Sequence, residues 1–384
     1  MDSVALERVV ISGVGQSQVG RRLGRSGLDL TVEACLRAVA DAGLTLSDID
    51  GLTTYPGSSS PSPGFSGASL REIHDALGIE PDWVSGGIES PGQLGAVVDA
   101  VMAVSTGLAR HVVVWRSIWE STAQGHGRRQ GYGAGSTRPS GIMSWQLPVG
   151  ATAANLAGLQ VRARMHRFGL TREQLGHVAM TQRAHAAGNP AAVYRDPMAL
   201  SDYLEARMVS DPLCMFDCDV PCDGATAFVV SRAEHAAALD HPAVALEALD
   251  CGHHDRFMWE AGRDITRISS RSSTIWDRTD LTPADVDVAS LYDGFSVFVL
   301  CWAEDFGFCP VGESGRWVQQ AAVPFNTGGG QLSGGRLHGF GHLHEACLQL
   351  RGGADGRQVA DATVAAVGVG AANSGTTAMV LRRA

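Results

Sequence analysis

Residues 326–352 read NTGGGQLSGGRLHGFGHLHEACLQLRG, a glycine-rich stretch that runs into a segment with helically spaced apolar residues. Closely spaced glycines predict tight turns, and the second part of the stretch predicts a helix. Two strand patterns follow, DATVAAVGVG at 361–370 and TTAMVLRR at 376–383. The C-terminal region is therefore predicted to be α/β, with a glycine turn that leads into a helix.

The same alternation of strand and helix occurs throughout the chain. In the first half it predicts a strand over 8–15 and a helix within 28–44 that is terminated by Gly43. In the second half it predicts strands over 243–250 and 286–295 and a helix over 295–305. We therefore predict two similar α/β halves, residues 1–235 and 236–384. The halves show no obvious sequence repeat, so the predicted duplication is one of fold.

The first half contains a long interruption. A loop rich in Gly, Ser and Arg runs from Ile118 to about Pro148, and helices are predicted over 151–167 and 171–187. The second helix opens with the capping pattern of Thr171 and Gln174. Loops of this length inside a compact domain usually have a function or cover a site.

Composition excludes several classes of protein. The 384 residues carry 30 Lys and Arg against 40 Asp and Glu, a net charge of −10, which argues against a general nucleic-acid binder. No segment has the apolar length of a membrane span, and the N-terminus does not read as a secretory signal. Eight scattered cysteines are typical of reduced thiols. These features predict a cytoplasmic protein without nucleic-acid or membrane partners.

Four segments together resemble the thiolase superfamily, in particular sterol-carrier-type thiolases and the related aldolases that cleave steroid side chains. They are SGVGQSQVGR with DAGLTLSDIDGL (12–21 and 41–52), 203–231, SLYDGFSVF (290–298) and the opening stretch 326–352. The resemblance implies a five-layer α/β fold of two similar halves, with a loop domain inserted at about 117–215. It also implies a homodimer, formed through the strand that ends the segment AVVDAVMAVSTGLARHVVVW.

The resemblance also shows what has changed. Glu89 stands where thiolases carry the nucleophilic cysteine, and Arg336 stands where they carry the histidine that activates it. No cysteine occurs within 364–367, the place of the acid/base cysteine. The resemblance therefore implies that thiolase condensation is lost and that Glu89 and Arg336 at most contact substrate.

Tyr292 takes the place of the asparagine or histidine of thiolases, as in the steroid side-chain aldolases, where such tyrosines act as acid/base groups. The implied reaction is retro-aldol cleavage of a β-hydroxyacyl-CoA, with coenzyme A as part of the substrate and no further cofactor. A small partner with a zinc ribbon and an OB-fold is also implied. The glycine turns would hold the thioester oxygen, through Gly329, Gly330, Gly335, Gly368 and Gly370.

Tyrosine has an ordinary pKa of about 10, so as a base Tyr292 needs a nearby cation or strong donors. We expect Arg336 and His338 to supply them. His338 is the preferred second proton carrier and His344 the weaker candidate, while Phe340 occupies the place where related aldolases carry a second tyrosine.

Other interpretations stay open. His338 and His342 are four residues apart, a spacing that suits zinc on one helical face, but glycines at 339 and 341 argue against that helix. Tyr292 could instead cap a helix with its hydroxyl in solvent. The whole chain could also be a non-catalytic lipid-binding or scaffolding subunit.

Overall fold

The structure, a computed structural model, describes residues 6–56, 64–86, 93–123, 150–252, 264–268, 272–320, 322–371 and 375–384. Within these ranges nine strands form one mixed sheet, in the order β3-β2-β4-β7-β1-β8-β11-β10-β9, and β5 and β6 form a small second sheet. The strands are β1 (Val9–Gln16), β2 (Gly51–Thr54), β3 (Trp83–Gly86), β4 (His111–Trp119), β5 (Met208–Ser210), β6 (Leu213–Cys214), β7 (Asp223–Arg232), β8 (Val244–Gly252), β9 (Val288–Leu291), β10 (Val364–Val369) and β11 (Thr376–Arg383).

The two halves repeat one strand order. From the centre outward the first half runs β1, β7, β4, β2, β3, and the second runs β8, β11, β10, β9. A single parallel bridge between Phe325 and Ala289 continues the second half, where β3 stands in the first. Both halves thus place their first, fifth, fourth, second and third extended segments in that order, which confirms the predicted duplication of fold.

Helices cover both faces of each half and confirm the predicted five-layer α/β architecture. Adjacent residues of β7 point to different apolar clusters, Val229 toward α1 and α2 and Val230 toward α3 and α10. The helix α10 contacts strands of both halves, and α8 contacts β9. The helices are α1 (Gly27–Asp41), α2 (Leu70–Leu77), α3 (Gly95–Thr106), α4 (Glu120–Ala123), α5 (Ala153–Phe168), α6 (Arg172–Ala187), α7 (Leu200–Leu204), α8 (Ser296–Asp305), α9 (Ser314–Gln320) and α10 (Phe340–Arg351).

The segment inserted between β4 and β7 packs on the second half of the chain. Its helices α5 and α6 contact α8, and α6 also contacts α9. The predicted capping box is present. The backbone amide of Gln174 donates to the Thr171 hydroxyl at 3.3 Å, and the backbone amide of Thr171 donates to the side-chain oxygen of Gln174. A fully buried ion pair between Arg164 of α5 and Glu304 of α8 fixes the contact.

β4, the strand predicted to form the homodimer, is an interior strand of the sheet. β4 pairs with β2 on one side and with β7 on the other, so it has no free edge for a second chain. The expectation that this strand pairs across a twofold axis is wrong. Within the described ranges the outermost strand of the first half is β3, which pairs only with β2. No helix described here has the length and apolarity to cross a membrane.

Candidate active site

Tyr292 follows directly after β9, and two groups fix its backbone. Its amide donates to the carbonyl of Gly368 at 2.8 Å. The side chain of Asn326 accepts from the amide of Leu291 at 2.7 Å and donates to the Leu291 carbonyl at 2.8 Å. Asn326 thereby acts as a short strand partner for the end of β9, so the position of Tyr292 is set by both sides of the sheet.

The hydroxyl of Tyr292 is buried. The side-chain amide of Gln93, just before α3, donates to this oxygen at 2.9 Å. Phe298 stacks on the Tyr292 ring at 6.1 Å, and a Cβ atom at Gly294 would lie 2.8 Å from the hydroxyl oxygen. Tyr292 is only 6% exposed. The interpretation that it caps a helix with its hydroxyl in solvent is therefore wrong.

The histidine that contacts Tyr292 is His342. The two rings lie edge to face with centroids 6.2 Å apart. Nε2 of His342 lies 2.9 Å from Oδ1 of Asp293, close enough for an ion pair although not aligned as a hydrogen bond. Asp293 also accepts from the amides of Gln331 and Leu332 at 2.8 and 3.2 Å. The carboxylate thus orients both the histidine and the turn Gly330–Gly334.

His338 occupies a different position from the one predicted. It has a left-handed backbone, with φ of 48°, and its amide donates to the side chain of Gln331. Its ring lies edge-on to Phe65 at 4.7 Å. His338 and His342 therefore do not share a helical face. Among the described residues no group of three metal-binding side chains is present.

Arg336 is held by two carboxylates. Its guanidinium pairs with Glu120 of α4 and, at 3.2 Å, with Asp219. All three side chains are largely buried. An arginine shared by two carboxylates has little positive charge left to stabilise a phenolate. Arg336 is thus engaged by Glu120 and Asp219, and its predicted effect on Tyr292 stays a prediction.

Two other predicted residues lie elsewhere along α10. Phe340 is fully buried and packs on Phe228 of β7 at 5.6 Å, so it belongs to the core and not to a substrate surface. His344 is two positions beyond His342, about 200° around the helix. It lines a polar cleft of about 220 Å³ together with His342, Gln16 and Arg357. His344 is thus turned away from the contact that His342 makes with Tyr292.

The glycines have mainly structural roles where the structure describes them. The amide of Gly329 donates to Asn326, so it is not available to a thioester oxygen. Gly330 has φ of 55°, and a Cβ atom there would lie 2.2 Å from Asp293. Gly368 lies between β9 and β11, with the Trp302 ring against its Cα. Gly335 and Gly370 also have positive φ, at 122° and 112°.

Seven of the eight cysteines are thiols whose pKa is raised by burial. Burial raises the pKa of Cys214 to about 11 and that of Cys301, Cys309 and Cys347 to about 12. It also raises the pKa of Cys35, Cys222 and Cys251. A thiolase nucleophile must be a thiolate, so these protonated thiols cannot take that role. Glu89, at the place of the thiolase cysteine, lies outside the described residues.

Sequence reasoning missed two partners of Tyr292. Gln93 is separated from it by 199 positions, and no local motif connects the two. His342 could have been preferred by helical phase, because only one of His342 and His344 can face Tyr292 from the same helix. Asp293, the residue after Tyr292, holds the turn Gly330–Gly334 through two backbone amides and lies beside His342.

Comparison with known proteins gives several matches. Residues 253–383 match the family described as thiolase C-terminal domain-like. A steroid side-chain-cleaving aldolase of Thermomonospora curvata is 34% identical over 91% of this chain and 92% of its own. The 17-hydroxy-3-oxo-4-pregnene-20-carboxyl-CoA lyase of Mycobacterium tuberculosis is 33% identical over 90% and 92% of the two chains. A solved structure described as Ltp2-ChsH2(DUF35) aldolase superposes with a TM-score of 0.86, at 31% identity over 99% of each chain.

Proposed function

This chain belongs to the family of steroid side-chain-cleaving aldolases in the thiolase superfamily, and we propose that it cleaves a steroid β-hydroxyacyl-CoA with Tyr292 as the base. It is a carbon–carbon lyase with the thiolase fold. The products are a ketone and a short acyl-CoA. Coenzyme A enters as part of the substrate.

The reaction moves one proton away from oxygen and one proton onto carbon. Tyr292, as phenolate, accepts the proton of the β-hydroxyl group. The bond between the α- and β-carbons breaks, the oxygen forms the ketone carbonyl, and the electron pair of the broken bond passes into the thioester enolate. An acid then protonates the α-carbon and releases acyl-CoA. No step requires a covalent intermediate, which agrees with the protonated cysteines.

The observation that carries this proposal is the enclosed hydroxyl of Tyr292. The Gln93 amide donates to it, so it stabilises the oxygen in its negatively charged form. The ring cannot turn away freely, because Phe298 and His342 pack beside it. A scaffolding subunit has no need for a buried and oriented phenol. The non-catalytic alternative is therefore set aside.

The substrate class follows from the chemistry of a relative's named substrate. In 17-hydroxy-3-oxo-4-pregnene-20-carboxyl-CoA the hydroxyl-bearing carbon 17 is β to the thioester. Retro-aldol cleavage of that compound gives a 17-ketosteroid and propionyl-CoA. We propose that this chain accepts a thioester of this type.

We also propose a partner, a small acyl-CoA-associated protein with a zinc ribbon and an OB-fold. The similar solved structure is described by two protein names, Ltp2 and ChsH2(DUF35), and the similarity covers the whole chain. Assays of the activity therefore use the chain co-purified with that partner.

The substitution Tyr292→Phe tests the function. It keeps the ring packing and removes only the proton carrier, so folding and partner binding should persist. We expect kcat for 17-hydroxy-3-oxo-4-pregnene-20-carboxyl-CoA to fall on the order of 10²- to 10⁴-fold, with little change in KM. Product formation is measured by mass spectrometry.

Tyr194→Phe is the matched control, because Tyr194 is partly exposed and bonds to Arg21 away from Gln93. This variant should cleave substrate like the wild type. Wild-type turnover by Tyr292→Phe, in a complex that is active, would show that Tyr292 is not the base.

A further inference from the structure

We infer that His342, oriented by Asp293, is the acid that returns a proton to the α-carbon after cleavage. This inference rests on the proposed retro-aldol function, which supplies an enolate but leaves its proton donor unassigned. It assigns to a histidine the role for which the resemblance implies a second tyrosine in this turn.

The first support is proximity. The substrate oxygen that loses a proton and the α-carbon that gains one are only two bonds apart. The base and the acid must therefore lie side by side at the substrate. The rings of Tyr292 and His342 are in edge-to-face contact, at 6.2 Å between centroids. His342 is the histidine that both contacts Tyr292 and lines the polar cleft, which His344 also lines, while the ring of His338 packs on Phe65.

The second support is orientation. Oδ1 of Asp293 lies 2.9 Å from Nε2 of His342, and Asp293 is fully buried. The buried carboxylate is an electrostatic partner for the Nε2 side of the imidazole, and Nδ1 is the other ring nitrogen that can carry a proton. The backbone amides of Gln331 and Leu332 hold Asp293 in place.

The third support is that the pair closes the proton balance. Before the reaction one proton is shared between the two side chains, as phenolate with imidazolium or as phenol with neutral imidazole. Tyr292 gains the hydroxyl proton during cleavage, and His342 gives its proton to carbon, which leaves phenol and neutral imidazole. Proton transfer between these two groups restores the starting state. The cycle needs no other acid, base or cofactor.

The assignment is tested by running only the second half of the reaction in reverse. Propionyl-CoA in D₂O exchanges its α-protons for deuterium when the group that protonates the enolate removes them again. The wild-type complex should exchange the label. His342→Gln should slow exchange by on the order of 10²-fold or more. Tyr292→Phe should keep exchange within about threefold of the wild type, although it no longer cleaves substrate.

Controls separate chemistry from folding. His74→Gln removes an exposed histidine that also pairs with an aspartate, Asp75, and should exchange label like the wild type. His342→Asn is a second variant with a shorter side chain, and thermal melting of both variants shows that they fold. At least one folded variant at position 342 should show the loss.

The outcomes distinguish this inference from the proposed function. Wild-type exchange by folded His342 variants would overturn the assignment, and so would loss of exchange in Tyr292→Phe. A wild-type complex that cleaves substrate without exchanging propionyl-CoA would also overturn it, while the retro-aldol function would stand. Absence of cleavage by the wild-type complex would contradict the proposed function itself.

Discussion

At the scale of single residues, the side-chain amide of Gln93 positions the hydroxyl of Tyr292. Gln93 is nearly buried, and its Nε2 is directed at the phenol oxygen. Gly294 leaves room for that oxygen, since any side chain there would approach it to 2.8 Å. The hydroxyl thus lies between the Gln93 amide and the backbone at Gly294, and its position is fixed without substrate.

Removing that donor should slow the reaction without unfolding the protein. Gln93→Met keeps the shape of the side chain but not the hydrogen bond. A hydrogen bond to a charged group contributes about 1.5–3 kcal/mol, so kcat should fall roughly 10- to 100-fold. The measurement is steady-state cleavage, with Gln18→Met at an exposed position as the control. Equal turnover by both variants would show that Gln93 only fills space.

At the scale of elements, α10 presents its two histidines to different surroundings. Both histidines line the polar cleft, but only His342 has a carboxylate, that of Asp293, within 2.9 Å of a ring nitrogen among the contacts described. Burial lowers the pKa of His344 to about 4. One helix therefore carries a histidine beside a buried carboxylate and another histidine whose protonation is disfavoured by burial.

The low pKa of His344 predicts how stability depends on pH. An unfolded histidine has a pKa of about 6.5, so between pH 6.5 and 4 the unfolded chain binds more protons than the folded one. The free energy of unfolding should therefore decrease as pH falls through this window and be unaffected by His344 above it. Urea unfolding of His344→Gln should show a shallower loss between pH 7.5 and 5 than the wild type. Parallel curves for the two proteins would contradict the prediction.

Sequence patterns were sufficient to predict most secondary-structure elements but not the contacts around Tyr292. Alternation of strand and helix reports on local burial, so both halves and the capping box at Thr171 could be predicted. Tyr292 came from a resemblance. The contact of Gln93 with Tyr292 and that of Arg336 with Glu120 were not predicted, because in each pair the partners are remote in sequence. Such pairings depend on tertiary packing, which a single sequence does not display.

At the scale of the whole molecule, the large sheet ends at β3 among the residues described. Its backbone groups on the side away from β2 have no strand partner there. An uncovered edge is a template for a further strand, and closed pairing about a twofold axis would cover it. Val84 of this strand is 55% exposed. We therefore predict that the homodimer implied by the resemblance forms through β3 and not through β4.

We predict a dimer at micromolar concentration by sedimentation velocity. Val84→Lys places a charge on the edge strand and should shift the protein toward the monomer, because a charged edge disfavours strand pairing. Leu108→Lys, which changes another exposed aliphatic residue, should leave the dimer unchanged. A wild-type protein that sediments as a stable folded monomer would rule the prediction out.

The repeated strand order brings two helix starts together, and this has an electrostatic consequence. A Cβ atom at Gly339, just before α10, would lie 3.4 Å from the side chain of Gln93, just before α3. Each helix start carries about half a positive charge from its aligned peptide dipoles. Both ends therefore direct positive potential at the phenol of Tyr292, one from each half of the chain. Neither half alone provides this potential, so the duplication is itself part of the environment in which a tyrosine can act as a base.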